Sequence, residues 1–377
     1  MRLSAWLRNA SIYALVLFGS LLSACGGGGS SAAPPPLGPT PTPLPGPPGV
    51  ESVASANAAL ASGGGCALRA LFVHQGGGVR GYPLDATGET APCAAFPASG
   101  SAWGPMTVSR FGYIHVATFQ STGGYPVFAP NANGNATPVR NVGVGRDRWL
   151  LATDNQLSDY IVDDIAWLDT NCWDVALSDA AAVSQHNCTV NTAPIHALAT
   201  EPDNRLIIVS ADRATNTPRV EIYAGAASAA PALVQTIAGS ATTLLAGAAE
   251  IAVATDPSTG EIYVYTAGPS VATQVAVFAS NASGNVAPER VLTVPKATEE
   301  DPFDPSLSSE NNLLAVDDRG QLYVGYPNTA VARVYARGAS GNAAPIRTIT
   351  NASAVVTFPD GSPDNTPVAI GVRTTIR

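Results

Sequence analysis

The sequence predicts an all-β fold: a six-bladed β-propeller, with seven blades as the alternative, closed by a carboxy-terminal strand that completes the first blade. Three observations predict it. First, one phrase recurs, an apolar strand ending in Ala, a small-residue turn, then Pro. It reads VFAPNANGNATPVR at 127–140, VFASNASGNVAPER at 277–290 and VYARGASGNAAPIR at 334–347, with a worn copy, IYAGAASAAPALV, at 222–234. Second, Pro231, Pro288 and Pro345 fall 57 residues apart each time. A fixed period of this size marks one supersecondary unit stacked repeatedly, because a single unit cannot bury its own apolar face. Third, each late copy follows two further β-branched runs parted by a Gly, Pro or Asp turn. A unit therefore holds four strands, and four-stranded antiparallel units in radial array are propeller blades.

Three regions precede or make up this body. Residues 1–24 begin with Arg2 and Arg8, continue with an apolar run at 12–22 and end in small residues. The run is too short to span a bilayer and reads as an export signal. Leu22-Ser23-Ala24-Cys25 matches the lipobox of bacterial lipoproteins. That resemblance implies cleavage before Cys25, a diacylglyceryl thioether on its sulfur and an acyl chain, palmitate for instance, on the new amine. Two or more acyl chains anchor stably where one holds only reversibly. Gly26 stands where an aspartate would favour retention in the inner membrane, so the same resemblance implies the outer membrane of a bacterial envelope. Residues 25–65 are Gly-, Ser- and Pro-rich and are expected to form a disordered tether, its proline tract at 34–48 extended and semi-rigid. The propeller is expected over 66–377.

Cysteine usage fits export. Beyond Cys25 the chain has Cys66, Cys93, Cys172 and Cys188, an even number that reads as two disulfides in an oxidising compartment. Three connectivities exist; the local one, Cys66 with Cys93 and Cys172 with Cys188, is preferred here. Each loop of that size stabilises by roughly 3–4 kcal/mol on the chain-entropy model. No pair has the spacing of a zinc knuckle.

The blades follow in order. Residues 68–73 and 79–84 match the second and third strands of a first blade that has no inner strand before them. Segments 106–109, 113–117, 125–129 and 140–144 make a second. Segments 149–153, 160–163 and 174–177 open an aberrant third, which holds the second cysteine pair. Three regular units follow. Pro367-Val368-Ala369-Ile370-Gly371-Val372 resembles an inner strand with nothing after it, so it is expected to join the first blade and remove an open sheet edge. The 312 residues of the body give 52 to each of six blades.

The last three copies resemble the NHL and YVTN class of β-propeller repeats, in the form with an ASGNxAPxR turn found in bacterial exported proteins. The resemblance covers most of the chain after Cys66, strongly beyond residue 194. It implies the propeller and says little about activity, since members bind proteins, glycans or small molecules and a minority are enzymes.

Chemistry is sparse. The net charge of −9, with a single lysine, Lys296, argues against nucleic acid. No GxSxG elbow and no phosphate loop is present. Of the four histidines, His115 aligns with the packing positions Tyr263 and Tyr323, whereas His74 and His196 are candidates to face the central channel. His186 lies in the aberrant blade. Acidic residues cluster at Asp159, Asp163, Asp164, Asp169 and Asp174, and again at Glu299, Glu300, Asp301 and Asp304. Both read as solvated loops; no cofactor is expected, calcium being the one ion such carboxylates would suit.

Connections leading into each inner strand, and those between second and third strands, share one face and include the longest loops. Long loops on a rigid scaffold are where binding residues sit. The candidate ligand face therefore comprises Glu299, Glu300, Asp301, Asp304, Asp212 and Arg213. The expected function is a membrane-anchored binding or scaffolding module for a protein or glycan partner, more a binder than an enzyme. The alternative is a propeller hydrolase or lyase acting on a lactone or polysaccharide through a channel-bound metal.

Overall fold

A computed structural model describes residues 52–374, apart from 67, 76–77, 99–104, 118–124, 143–147, 154–158, 164–171, 177–184, 189–194, 213, 216, 225–231, 245, 249, 269–270, 296–312, 327–329 and 352–368. In 53, 148–150, 161–163, 172–176, 185–188, 271 and 330–331, backbone alone is described.

The chain enters through a helix, α1 (Val53–Ala61), capped by the Ser52 hydroxyl, which accepts from the Ser55 amide at 3.1 Å. Strands β1 (Ala70–Gln75) and β2 (Gly78–Pro83) form a hairpin; β3 (Gly88–Glu89) leaves the sheet and β4 (Ala94–Pro97) returns to it. The next sheet is β5 (Met106–Val108), β6 (Ile114–Val116), β7 (Tyr125–Phe128) and β8 (Arg140–Val142). A third follows: β9 (Arg148–Thr153), β10 (Asp159–Asp163), β11 (Cys172–Ala176) and β12 (Gln185–Cys188). The fourth is β13 (Ile195–Thr200), β14 (Leu206–Ala211), β15 (Pro218–Ala224) and β16 (Ala232–Ile237). The fifth is β17 (Glu250–Thr255), β18 (Ile262–Gly268), β19 (Val271–Phe278) and β20 (Arg290–Thr293). The sixth is β21 (Leu314–Val316), β22 (Leu322–Gly325), β23 (Ala330–Tyr335) and β24 (Arg347–Thr350).

Last comes β25 (Ala369–Arg373), antiparallel to β1, with Ala70 opposite Arg373 and His74 opposite Ala369. The first sheet thus reads β25-β1-β2-β4, its inner strand supplied by the far end of the chain. Apart from the short β3, every pairing within a sheet is antiparallel, and the innermost strands neighbour one another in turn, β25 beside β5, then β9, β13, β17, β21 and β25 again. The fold is an all-β propeller. Its core is not one central mass but the layers between successive sheets. Val275 and Tyr265 of the fifth sheet meet Tyr323 and Val334 of the sixth, for example, while Phe96 of the first meets Phe128 of the second with ring centroids 4.8 Å apart. Second strands such as β14 and β18, and the third strand β15, bury nearly all of their residues on both faces, so they are runs of Ile, Val, Tyr and Ala rather than alternating patterns.

The recurrent phrase makes the joints between sheets. Its first residues form a turn, Ala132 N–H to Ala129 O, Ala282 to Ala279 and Ala339 to Ala336, each at 3.0–3.1 Å. Its glycine, at φ +59° to +76°, then aims a backbone N–H at the outer strand of the preceding sheet: Gly134 to Ala95 O at 2.8 Å, Gly284 to Thr236 O at 2.6 Å, Gly341 to Val291 O at 2.7 Å. Residues 83–93, PLDATGETAPC, do the same for the first sheet. Ala86 bonds Pro83 O, Gly88 has φ +65°, and β3 pairs in parallel with β24, Gly88 opposite Ile349. This is another copy of the phrase, hidden in the sequence because Asp85 and Glu89 stand where Asn recurs elsewhere and Pro83 where the other copies have Ala.

The stretch expected to be a disordered tether as far as residue 65 contains α1, because a serine cap and an alanine run favour a helix once Ala56 has an apolar wall to pack on, here Phe111, Tyr113 and Val127. The local cysteine pairing is found for Cys66–Cys93, with Cα atoms 4.9 Å apart. In the third sheet Cys172 stands directly opposite Cys188 in register, their side chains lying outside the described residues.

Candidate functional site

The inner strands surround a cavity of about 440 Å³ on the axis. Each contributes its middle and its carboxy-terminal end, so the cavity reaches toward the turns that link first to second strands. Its walls alternate apolar side chains, such as Leu198 and Val253, with hydroxyls. Two of these hydroxyls tie one sheet to the next: Thr200 Oγ1 donates to Thr153 O at 2.9 Å, and Thr255 Oγ1 to Thr200 O at 2.7 Å. The rim carries Arg110, Thr153, Glu201, Ser258, Asp318 and Thr374. Arg110 is exposed and stacked over the Phe111 ring at 4.4 Å.

A buried polar residue opens four of the rim turns: Ser109, Glu201, Asp256 and Asp317. The local chain requires it. In each turn the amide and carbonyl of that residue close a short loop, as with Asp256 N–H to Glu261 O at 2.9 Å and Gly260 N–H to Asp256 O at 2.8 Å, and at Ser109, Asp256 and Asp317 the side chain accepts from further N–H groups of the turn. Asp256 Oδ1 accepts from Ser258 N and Oγ at 2.7 and 2.5 Å; Asp317 Oδ1 accepts from Arg319 N and Gln321 N at 2.9 Å. Arginines from elsewhere in the ring supply counter-charge. Arg337 of the sixth sheet reaches Asp256 of the fifth at 3.1 Å, and Arg69 ahead of the first sheet grips Asp318 at 2.6 and 2.7 Å. Burial would raise Asp256, but the Ser258 hydroxyl and amide, the Thr259 amide and Arg337 together hold it below the usual carboxylate range. Glu201 lacks such a cradle. Burial pushes its carboxyl up to about 7 against the pull of Arg205, 2.7 Å away. Sequence reasoning misses these acids as a set, although EPDN, DPST and DDRG each place one directly after an inner strand.

The residues singled out from the sequence fall elsewhere. Glu299, Glu300, Asp301, Asp304 and Arg213 lie outside the described residues. Asp212 is exposed, and its Oδ1 accepts from the Ala214 amide, the Thr215 amide and the Thr215 hydroxyl at 2.9–3.0 Å. The Thr215 hydroxyl and amide hold its carboxyl low, a loop-forming role away from the cavity wall. His74 and His196, candidates for the channel, sit on β1 and β13 and do not line the cavity; burial lowers His196 to about 4.

Asp159 is corrected outright. Expected in a solvated loop, it is fully buried at the start of β10. Tyr125 Oη donates to its Oδ2, His115 Nδ1 lies 3.1 Å from the same oxygen, and Thr153 Oγ1 donates to Oδ1 at 2.5 Å. Burial alone would raise this carboxyl; His115, Thr153 and Tyr125 outweigh it and hold it low. His115 is thus buried as expected, but in a polar knot joining the second and third sheets. Among the described residues no three His, Cys, Asp or Glu side chains are grouped as metal ligands.

No protein-family profile matches this chain, and no curated protein does either. Solved structures are similar at low identity. A protein of unknown function from Bacteroides caccae shares 10% identity over 81% of this chain and 98% of its own, with a TM-score of 0.47. The WD40 domain of Toxoplasma gondii coronin shares 10% over 75% of this chain and 67% of its own, at 0.42. The Dos1 propeller shares 8% over 71% of this chain, which spans 66% of that structure, at 0.39.

Proposed function

We propose that this chain is an exported, lipid-anchored propeller of six blades that serves as a binding or scaffolding module for a protein or glycan partner. The observation that carries the reading is the rim: every inner strand delivers its last residues to one opening, on a frame clamped at its joints. A partner seated there meets six sheets at once without ordering any of them, which keeps the entropic cost of recognition low. The leader and Cys25 support attachment to a membrane, and Gly26 supports the outer one.

Crosslinking of the purified protein to envelope proteins and to a glycan panel tests this. Arg110→Glu alters the rim; replacement of Glu299, Glu300, Asp301 and Asp304 by Ser alters the long-loop face. Loss of a saturable partner with either variant places the contact. A chain that binds nothing saturably in its wild-type form overturns the reading. A stoichiometric divalent ion accompanied by lactone or polysaccharide cleavage favours the hydrolase or lyase instead. For the anchor, cells fed an alkyne-tagged palmitate label the wild-type chain, and Cys25→Ser abolishes both label and membrane sedimentation.

A further inference from the structure

In the other sheets only five or six residues separate the inner strand from the second strand, so the two are covalently one hairpin. The first sheet lacks that link, because β25 follows the sixth sheet in the chain while β1 precedes the second. A different set of contacts stands in its place. Arg373, the last residue of β25, is 1% exposed and lies over the Phe72 ring, 5.0 Å from its centroid. Its Nε donates to Leu68 O at 2.9 Å and one Nη to Cys66 O at 2.9 Å, while the other reaches Pro130 O in the second sheet. The segment receiving these bonds is the one just before β1, where a hairpin turn would be. Cys66 is in turn joined to Cys93, immediately ahead of β4, the opposite edge of the same sheet.

The space for this is built in. A Cβ on Gly81 of β2 would lie 2.5 Å from Cys66 Sγ, so the disulfide crosses β2 where a side chain is missing. A Cβ on Gly112 would lie 2.5 Å from Arg373 Cδ. A buried guanidinium is tolerated only while its donors have acceptors. Two of the Arg373 acceptors are carbonyls of the segment that the disulfide fixes.

We propose that the Cys66–Cys93 disulfide is a redox latch on ring closure: oxidised, it holds the Cys66 and Leu68 carbonyls under Arg373 and keeps β25 seated; reduced, it frees them and β25 leaves the first sheet. The reduction is a two-electron exchange with a dithiol. The S–S bond breaks, two Cys thiols form with the two protons of the dithiol, and the dithiol becomes its own disulfide. Closure then depends on an oxidising compartment.

Hydrogen exchange on the purified full chain, oxidised and after treatment with a phosphine or dithiol reductant, tests the latch. The amides of β25 and their partners on β1 are expected to exchange at least tenfold faster after reduction, with those of β17 and β18 changing less than twofold. Arg373→Lys, with the disulfide intact, is expected to release β25 in the same selective way, since a single ammonium centre cannot span three carbonyls. A mass gain of two hydrogens verifies reduction, and Cys66→Ser with Cys93→Ser supplies the reduced state independently. Unchanged protection of β25 in reduced protein overturns the proposal. So does an equal loss across all sheets, or an Arg373→Lys chain as protected as wild type.

Discussion

Glu201 and Asp159 are both buried carboxyls, and their environments send them in opposite directions. Glu201, raised to about 7, binds its proton more tightly folded than unfolded. Its favourable contribution is therefore full below about pH 4.5 and is lost as pH rises toward 7. Glu201→Gln is expected to raise the melting temperature at pH 8, by a stabilisation on the order of 2 kcal/mol, with no gain at pH 4. Equal melts at pH 8 would refute this. Asp159 is held low, so its contribution is present above the ordinary carboxylate range and disappears as pH falls below it. Asp159→Ala leaves His115, Tyr125 and Thr153 facing a void and is expected to destabilise by roughly 3–5 kcal/mol at pH 7, read from urea midpoints. A loss below about 1 kcal/mol would return Asp159 to the role of an ordinary surface acid.

Among the elements, the glycine turn repays a paired comparison. Gly341 has φ +59° and open space around its missing side chain, so Gly341→Ala should cost only the backbone term, about 1 kcal/mol. Gly112 has φ +82° and Arg373 in the way, so Gly112→Ala adds a steric term of about 1–3 kcal/mol and loosens β25 as well. Equal losses would mean that Arg373 yields freely. Strand order is legible because β-branched runs and Gly, Pro and Asp turns alternate at a steady period, which carries the pattern even where single copies wear. The tail strand can be placed because an inner strand is missing at one end and surplus at the other. What escapes are features defined by partners far along the chain: the copy at 83–93, the buried acids, and the pairing of Asp159 with His115. An acid in a cradle and an acid in solvent look alike until the amides above it are known. The cavity rim escapes likewise, being assembled from single residues of separate sheets, while the acidic stretch at 299–304 draws attention by local density alone.

For the whole molecule, β25 and β1 lie side by side with Arg373 opposite Ala70, so a six-residue turn like that between β17 and β18 can join them. A circular permutant with that turn, and new ends within 189–194, is expected to melt at the same temperature with and without reductant, whereas the natural chain order melts lower when reduced. A permutant as sensitive as the parent would locate the effect of reduction away from closure. Chain order also sets a timetable. The first sheet is made early yet lacks its inner strand until the last few residues arrive, roughly 300 positions later. Until β25 docks, β1 offers an unpaired edge to any neighbouring strand. A chain of this design therefore carries that open edge until its closing strand is in place, longer than one whose first sheet is built from consecutive strands.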